Sequence, residues 1–221
     1  IGSKKLISGP NCTLTGAAVA LYEVHKEFKI KELRISTYQA VSGAGKEAID
    51  QFNRELKCYI KTGKVSNIKS NVFPRAIALN LFPQIGSFDE NGHSSEENKV
   101  EWELKKIWKA PALRISSTTV RVPVLRGHSL SVWVKTDKAW TIKKIEKLLL
   151  KTKGLKFFKN PNDYATPLSV EKTFEVMASR LRKSRVSPKE FQLWIVSDNL
   201  YKGAALNTVQ IAEYIGKNNL I

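Results

Sequence analysis

An α+β fold with a mixed sheet is what the sequence predicts, on the order of its strands, its lack of repeats and its apolar content. Runs of β-favouring residues outnumber helical stretches and mostly follow one another, without the regular alternation of a doubly wound sheet. No segment repeats. The 221 residues are 42% hydrophobic, enough to close one large core, and a single domain over residues 1–221 is expected.

The first helix is announced by a loop, Ser8-Gly9-Pro10, that gives way to small and apolar residues over 14–28. Asn11-Cys12-Thr13 therefore sits at a helix start. Residues 33–39 alternate apolar and polar side chains, the pattern of a strand with one buried face, and end in the turn Ser42-Gly43-Ala44-Gly45. There the glycines permit tight backbone and close approach of a ligand. Helical spacing over 46–61 places Ala48, Ile49, Phe52 and Leu56 on one side. A polar, mobile stretch is expected over 62–75, then a short buried strand over 76–82 closed by Pro83.

Turn chemistry at 89–93 precedes Ser94-Ser95-Glu96-Glu97, a cap followed by first-turn acids, which opens a helix to about Lys109. Strands are expected over 113–124 and 129–135, joined or bent at His128, and again over 155–158, 174–181 and 191–196. Helices are expected over 138–151 and 204–215. No Gly-x-Gly-x-x-Gly follows a first strand, so a dinucleotide fingerprint is missing from these residues.

The composition excludes several classes. There is no apolar run near the ~18 residues of a membrane helix and no charged-then-apolar leader, so a cytoplasmic location is expected, with no membrane contact. Net charge is +17, from 37 Lys and Arg against 20 Asp and Glu. The lysines are scattered over helix faces, as in Lys143-Lys144-Ile145-Glu146-Lys147, which reads as a solvated coat and not as a specific nucleic-acid surface. No metal site is predicted. His25 and His93 read as surface residues. Of the two cysteines, Cys58 lies in a helical pattern and reads as an inert, packed or half-exposed thiol.

Cys12 is the chemical candidate. A helix N-terminus, with unpaired N–H groups and the positive dipole end, favours thiolate, the nucleophilic form. A nucleophilic cysteine needs a proton carrier, and His128 in Arg126-Gly127-His128-Ser129 offers one, since such partners meet in the fold and not along the chain.

Five segments in the same order resemble aspartate-β-semialdehyde dehydrogenase: Asn11-Cys12-Thr13; Ser36-Thr37-Tyr38-Gln39-Ala40-Val41-Ser42-Gly43-Ala44-Gly45; Arg121-Val122-Pro123-Val124 with His128-Ser129; Asp198-Asn199-Leu200; and Lys202-Gly203-Ala204-Ala205 with Asn207 and Val209-Gln210-Ile211-Ala212-Glu213. The resemblance spans nearly the whole chain. It implies the catalytic and dimerisation domain of that family, a largely antiparallel mixed sheet with helices on one face, similar to the C-terminal domain of glyceraldehyde-3-phosphate dehydrogenase. Family members begin with a Rossmann domain that holds NADP, and this chain starts just before the cysteine. The piece is therefore expected to lack that cofactor cradle and one phosphate-binding arginine, to be inactive alone, and to have used its last helix, about 204–217, to pack on the absent domain.

The family's reaction is reductive dephosphorylation of β-aspartyl phosphate to aspartate semialdehyde, on the route to lysine, threonine and methionine. By resemblance, Cys12 is the nucleophile and forms a thioester, His128 is the acid/base and Gln39 orients the substrate beside the thiol. Arg121 is implied to grip the α-carboxylate, Glu96 the ammonium group and Lys99 phosphate, with Glu97 able to replace Glu96; Asn11 joins the substrate site. Ser42 and Gly43 are implied to meet the nicotinamide end of NADP, with Asn199 facing it. A homodimer is implied. The rival readings are an enzyme like N-acetyl-γ-glutamyl-phosphate reductase, against which the Tyr38–Gly45 segment and the tail motifs argue, and a non-catalytic basic binding domain.

Overall fold

The computed structural model describes residues 6–65 and 72–220. Six strands form one mixed sheet in the order β2-β1-β3-β6-β5-β4: β1 (Ile30–Gln39), β2 (Arg114–Arg121), β3 (His128–Thr136), β4 (Leu155–Phe157), β5 (Val176–Lys183) and β6 (Glu190–Ser197). Pairing is parallel for β1 with β2 and for β4 with β5, and antiparallel for the three central pairs.

The register decides what meets at one end of the sheet. Gln39 lies opposite Arg121, Tyr38 opposite Ser129, and His128 opposite Ser197. Because β3 runs against its neighbours, its first residue shares an edge with the last residues of β1, β2 and β6. Four polar residues from four strands thus line one rim.

One face of the sheet is covered by α1 (Cys12–Phe28), α3 (Ser95–Ile107) and α4 (Ile142–Lys151). Their apolar sides close the main core with Leu33, Ile35, Leu130, Val132, Phe191 and Ile195. Helix α1 lies close on the strands: a Cβ at Gly16 would stand 3.2 Å from the Ser197 hydroxyl oxygen and 3.3 Å from Ile195. This approach carries the first residue of α1 to the rim. The opposite face of β1 carries Arg34 and Tyr38, both exposed. No helix among the described residues is long and apolar enough to cross a membrane.

A satellite cluster of Val41, Ala48, Phe52, Phe73, Ile77 and Phe82 sits under α2 (Lys46–Thr62). Here the structure departs from expectation. Residues 76–82 form a turn and not a strand, with only Phe82 bridged to Arg121. The cause is Glu55, whose buried carboxylate takes the Ile77 and Ala78 N–H groups at 2.7 and 2.8 Å, leaving them no ladder to join. Leu79 consequently sits exposed at φ 60°. The expected stretch over 62–75 lies partly outside the described residues, at 66–71; before it, α2 ends at Gly63 in the left-handed region, the usual helix stop.

Other boundaries shift for local reasons. Strand β2 stops at Arg121, two residues ahead of Pro123, which has no N–H to donate. Helix α4 starts only at Ile142, where the Thr141 hydroxyl caps the Lys144 N–H. The last helical stretch is divided into a π-helical turn, Tyr201–Ala205, and α6 (Leu206–Lys217). His25 is not a plain surface residue: it is half-buried and stacks on Trp108 with ring centroids 4.9 Å apart.

Candidate active site

Helix α1 begins at Cys12 because Asn11 caps it: the Asn11 Oδ1 accepts the N–H groups of Thr13 and Leu14 at 2.8 and 3.3 Å. The Asn11 amide nitrogen donates to Glu96 Oε1 at 3.0 Å and its backbone N–H to Glu103 at 2.7 Å. Asn11 is thus fully engaged in fixing the helix start. Behind Cys12, a Cβ on Gly203 would stand 3.0 Å from the cysteine Cβ and 3.1 Å from its carbonyl oxygen. Only a bare backbone allows the π-helical turn to approach this closely.

The sulfur lies 3.5 Å from His128 Nε2. The other ring nitrogen, Nδ1, accepts the Ala40 backbone N–H at 3.1 Å. An acceptor nitrogen carries no proton, so the neutral ring holds its proton on Nε2, facing the sulfur. Complete burial, and next the Arg121 charge, push the imidazole down to about 3. The ring is neutral and a donor toward Cys12.

The thiol is not a preformed thiolate. Burial, and then the Glu96 carboxylate, push Cys12 up from its ordinary value, against the Thr13 hydroxyl and the Arg121 charge, which lower it. The expected effect of the helix end is outweighed by desolvation and a neighbouring negative charge.

Glu96 gathers the site. Its Oε1 accepts from Asn11, from the Thr13 hydroxyl at 3.1 Å and from Gln39 Nε2 at 3.0 Å, so one carboxylate joins α1, β1 and α3. Gln39 is buried, its oxygen accepting the Thr37 hydroxyl at 3.0 Å. Lys99, half exposed one turn further along α3, places Nζ 3.8 Å from Glu96 Oε2. Glu97 does not compete for this role. It takes the Ser94 N–H at 2.7 Å in a capping box and the Thr119 N–H at 2.9 Å.

Arg121 is 5% exposed at the end of β2, with Nη1 donating to the Ala40 carbonyl at 2.5 Å. Burial lowers its pKa, while Glu96 and then Cys12 raise it. Gly43 lies against this guanidinium and the imidazole: a Cβ there would be 2.9 Å from Arg121 Nη1 and 3.2 Å from His128 Nε2. Next to it, Ser42 Oγ accepts from Asn199 Nδ2 at 3.0 Å, and Asn199 Oδ1 takes the Gly127 N–H at 2.9 Å. The structure therefore brings Asn11, Cys12, Gln39, Glu96, Arg121 and His128 together, with Ser42, Gly43 and Asn199 on one flank and Lys99 on the outer edge.

Sequence reasoning missed Ala40, Thr13 and Gly203, which act through backbone or a hydroxyl and carry no motif chemistry of their own. Asp198 and Arg126 were passed over although both lie in quoted segments. Among the described residues, no cluster of three or more His, Cys, Asp or Glu side chains is placed to hold a metal.

A family model described as semialdehyde dehydrogenase, dimerisation domain, matches residues 21–202. The chain belongs to this semialdehyde dehydrogenase family. It is 39% identical over 220 residues to an aspartate-semialdehyde dehydrogenase of Aquifex aeolicus, covering 99% of this chain and 64% of that protein. It is 42% identical to one of Rickettsia bellii, covering 98% and 64%. Among solved structures it is similar to aspartate semialdehyde dehydrogenase II of Vibrio cholerae complexed with ASA, at TM-score 0.90 and 34% identity, covering 94% of this chain and 61% of that one. A Candida albicans aspartate semialdehyde dehydrogenase with NADP shares the fold, at TM-score 0.71 and 22% identity. The chain spans 64% of the length of the curated relatives it matches.

Proposed function

We propose that this chain is the catalytic and dimerisation domain of an aspartate-semialdehyde dehydrogenase, acting with NADP in the cytoplasm on the route to lysine, threonine and methionine. The observation that carries the reading is the half-buried thiol 3.5 Å from an imidazole whose proton faces it. Family membership and the relatives' names support the reaction class.

In the proposed reaction the Cys12 sulfur bonds to the acyl carbon of β-aspartyl phosphate as its S–H bond breaks, the carbon–oxygen bond to phosphate breaks, the departing phosphate carries off the thiol proton, and a thioester remains. With Nδ1 committed to Ala40, His128 serves as donor. Keeping its proton, it donates a hydrogen bond from Nε2 first to the sulfur and then to the oxygen that gains charge on the attacked carbon. It cannot take the thiol proton on Nε2 without first releasing its own. Arg121 grips the α-carboxylate by its planar fork, Glu96 meets the ammonium group, Gln39 holds the substrate amide-fashion, and Lys99 attracts phosphate from the edge. Asn11 keeps the nucleophile's helix start in place.

The Gly43 backbone, bare beside imidazole and guanidinium, is a cradle that a side chain would fill, and it suits a flat ring laid next to the thiol. Ser42, Gly43 and Asn199 would hold the nicotinamide end of NADP; Asn199 spends one of its two amide protons on Ser42 and keeps the other. When bound, NADPH supplies the hydride that reduces the thioester carbon. The open sheet face around Arg34, Tyr38, Trp133 and Trp194 is the proposed homodimer surface.

The test uses the intact gene product that contains this chain. Aspartate semialdehyde, phosphate and NADP should yield NADPH, and β-aspartyl phosphate without NADPH should leave an acyl adduct on the Cys12 peptide in mass spectrometry. Full turnover by Cys12→Ser would overturn the reading.

A further inference from the structure

The loop that delivers His128 to the rim, residues 124–127, is held on every side. The Val41 and Ser42 N–H groups bond its Val124 and Leu125 carbonyls at 2.8 and 3.2 Å. Gly127, at φ +90°, is pressed against Pro167, where an added Cβ would stand 3.0 Å from the proline Cα. These are neutral, short-range holds. The one charged hold is Asp198, fully buried one residue past the end of β6.

Asp198 Oδ2 lies 2.8 Å from Arg126 Nε and accepts the Lys172 N–H at 2.7 Å. Its Oδ1 accepts the Leu200 and Tyr201 N–H groups at 2.9 and 3.0 Å, and its backbone oxygen the Gly203 N–H at 2.9 Å. Arg126 in turn lies over the Tyr201 ring, 4.5 Å from its centroid. One carboxylate thus ties the loop before His128 to the turn whose Gly203 backs Cys12. Its neighbours on either side repeat the link: Ser197 pairs with His128 across the sheet, and Asn199 bonds Gly127.

We propose that Asp198 is a positioning residue: its buried ion pair with Arg126 fixes the distance and tilt between the His128 ring and the Cys12 sulfur. The proposal rests on the catalytic reading of Cys12 and His128 given above. Neither partner of the pair need touch substrate. The reason the charge matters is that hydrogen-bond donation from Nε2 is steep in distance and angle, and a misplacement of about 1 Å costs on the order of a hundredfold in rate. A neutral amide at 198 keeps the shape and some backbone bonds but loses the charge attraction to the guanidinium.

The test compares Asp198→Asn and Arg126→Gln in the intact enzyme. Each should lower kcat about ten- to a hundredfold with KM within about twofold of the parent, since only geometry at the reacting atoms has changed. Ring-nitrogen NMR of 15N-histidine-labelled protein reports the imidazoles, and His128 is identified by the signals lost in His128→Gln. Its signals should shift from one defined tautomer toward an exchanging mixture in both variants, with His25 and His93 unmoved. Parental kcat in folded variants, a rise in KM alone, or an unchanged His128 spectrum would each overturn the proposal. Should Asp198→Asn fail to fold, Arg126→Gln, which keeps every backbone bond of Asp198, decides. An inactive parent would instead defeat the catalytic reading, and the spectrum, which needs no turnover, would still judge the positioning role.

Discussion

Two regions of this molecule hold the same pair of residue types, a cysteine and a buried glutamate, and only one of them is equipped for chemistry. In the satellite region, Glu55 is bonded by the backbone N–H groups of Ile77 and Ala78 and by Gln51, while Cys58 lies on the outer side of α2 beside Thr62. At the rim, Glu96 is bonded by the side chains of Asn11, Thr13 and Gln39, and Cys12 faces an imidazole. The difference lies in the donors. Backbone N–H groups make a carboxylate a structural clasp, whereas side-chain donors can exchange partners when a ligand arrives.

The sharpest break of that comparison is at the two thiols. Cys12→Ser should cut turnover of the intact enzyme by at least about a thousandfold, as loss of a covalent nucleophile does. Cys58→Ser should stay within about twofold, because Cys58 lies on the outer side of α2 beside Thr62. Equal losses, measured as initial rates, would erase the distinction drawn here.

The two glutamates separate next. Glu96→Gln removes a negative charge near the sulfur, so the thiol pKa should fall, and the pH at which iodoacetamide alkylation of Cys12 accelerates should move down. If Glu96 meets the ammonium group as proposed, the same change should lower kcat/KM by roughly ten- to a hundredfold. An alkylation profile that stays put or moves up would rule out the charge as the cause. Glu55→Gln should leave activity alone and cost about 1–3 kcal/mol of stability, since an amide group would set donor against donor at Gln51. Urea unfolding measures it.

A last contrast is in acid stability. His128 is held neutral down to about 3 in the folded chain, against an ordinary value of 6.5. The unfolded chain therefore takes up a proton that the folded one refuses, and stability falls as pH drops from 6.5 toward 3, by on the order of 1.4 kcal/mol per pH unit. His25, also lowered by burial, adds in the same direction. His128→Gln should flatten the slope of unfolding free energy against pH, and an unaltered slope would count against a neutral buried ring.

Much of the fold was legible because local pattern and burial agree. The alternation in 33–39 became the buried side of β1, and the Ser8–Pro10 turn led into α1 at Cys12 as expected. The short strand over 76–82 was misread because its apolar run carries no trace of the distant Glu55 that claims its N–H groups. At the site, the residues with motif chemistry lie together, and their meeting point depends on strand register, which sequence does not print. The choice between Glu96 and Glu97 was open to a closer reading: Ser94-x-x-Glu97 is a capping-box spacing, and it leaves Glu96 for the interior. The charge state of Cys12 was misjudged because a helix end is a local feature and desolvation is a tertiary one.

The bond from Ala40 to His128 has a consequence for how such a site changes over time. The donor is the peptide itself, which every residue type but proline carries, although the fully buried place of Ala40 admits only a small side chain. What sets the direction of the imidazole's proton is thus carried by the course of the chain, and it survives drift in the letters that spell it.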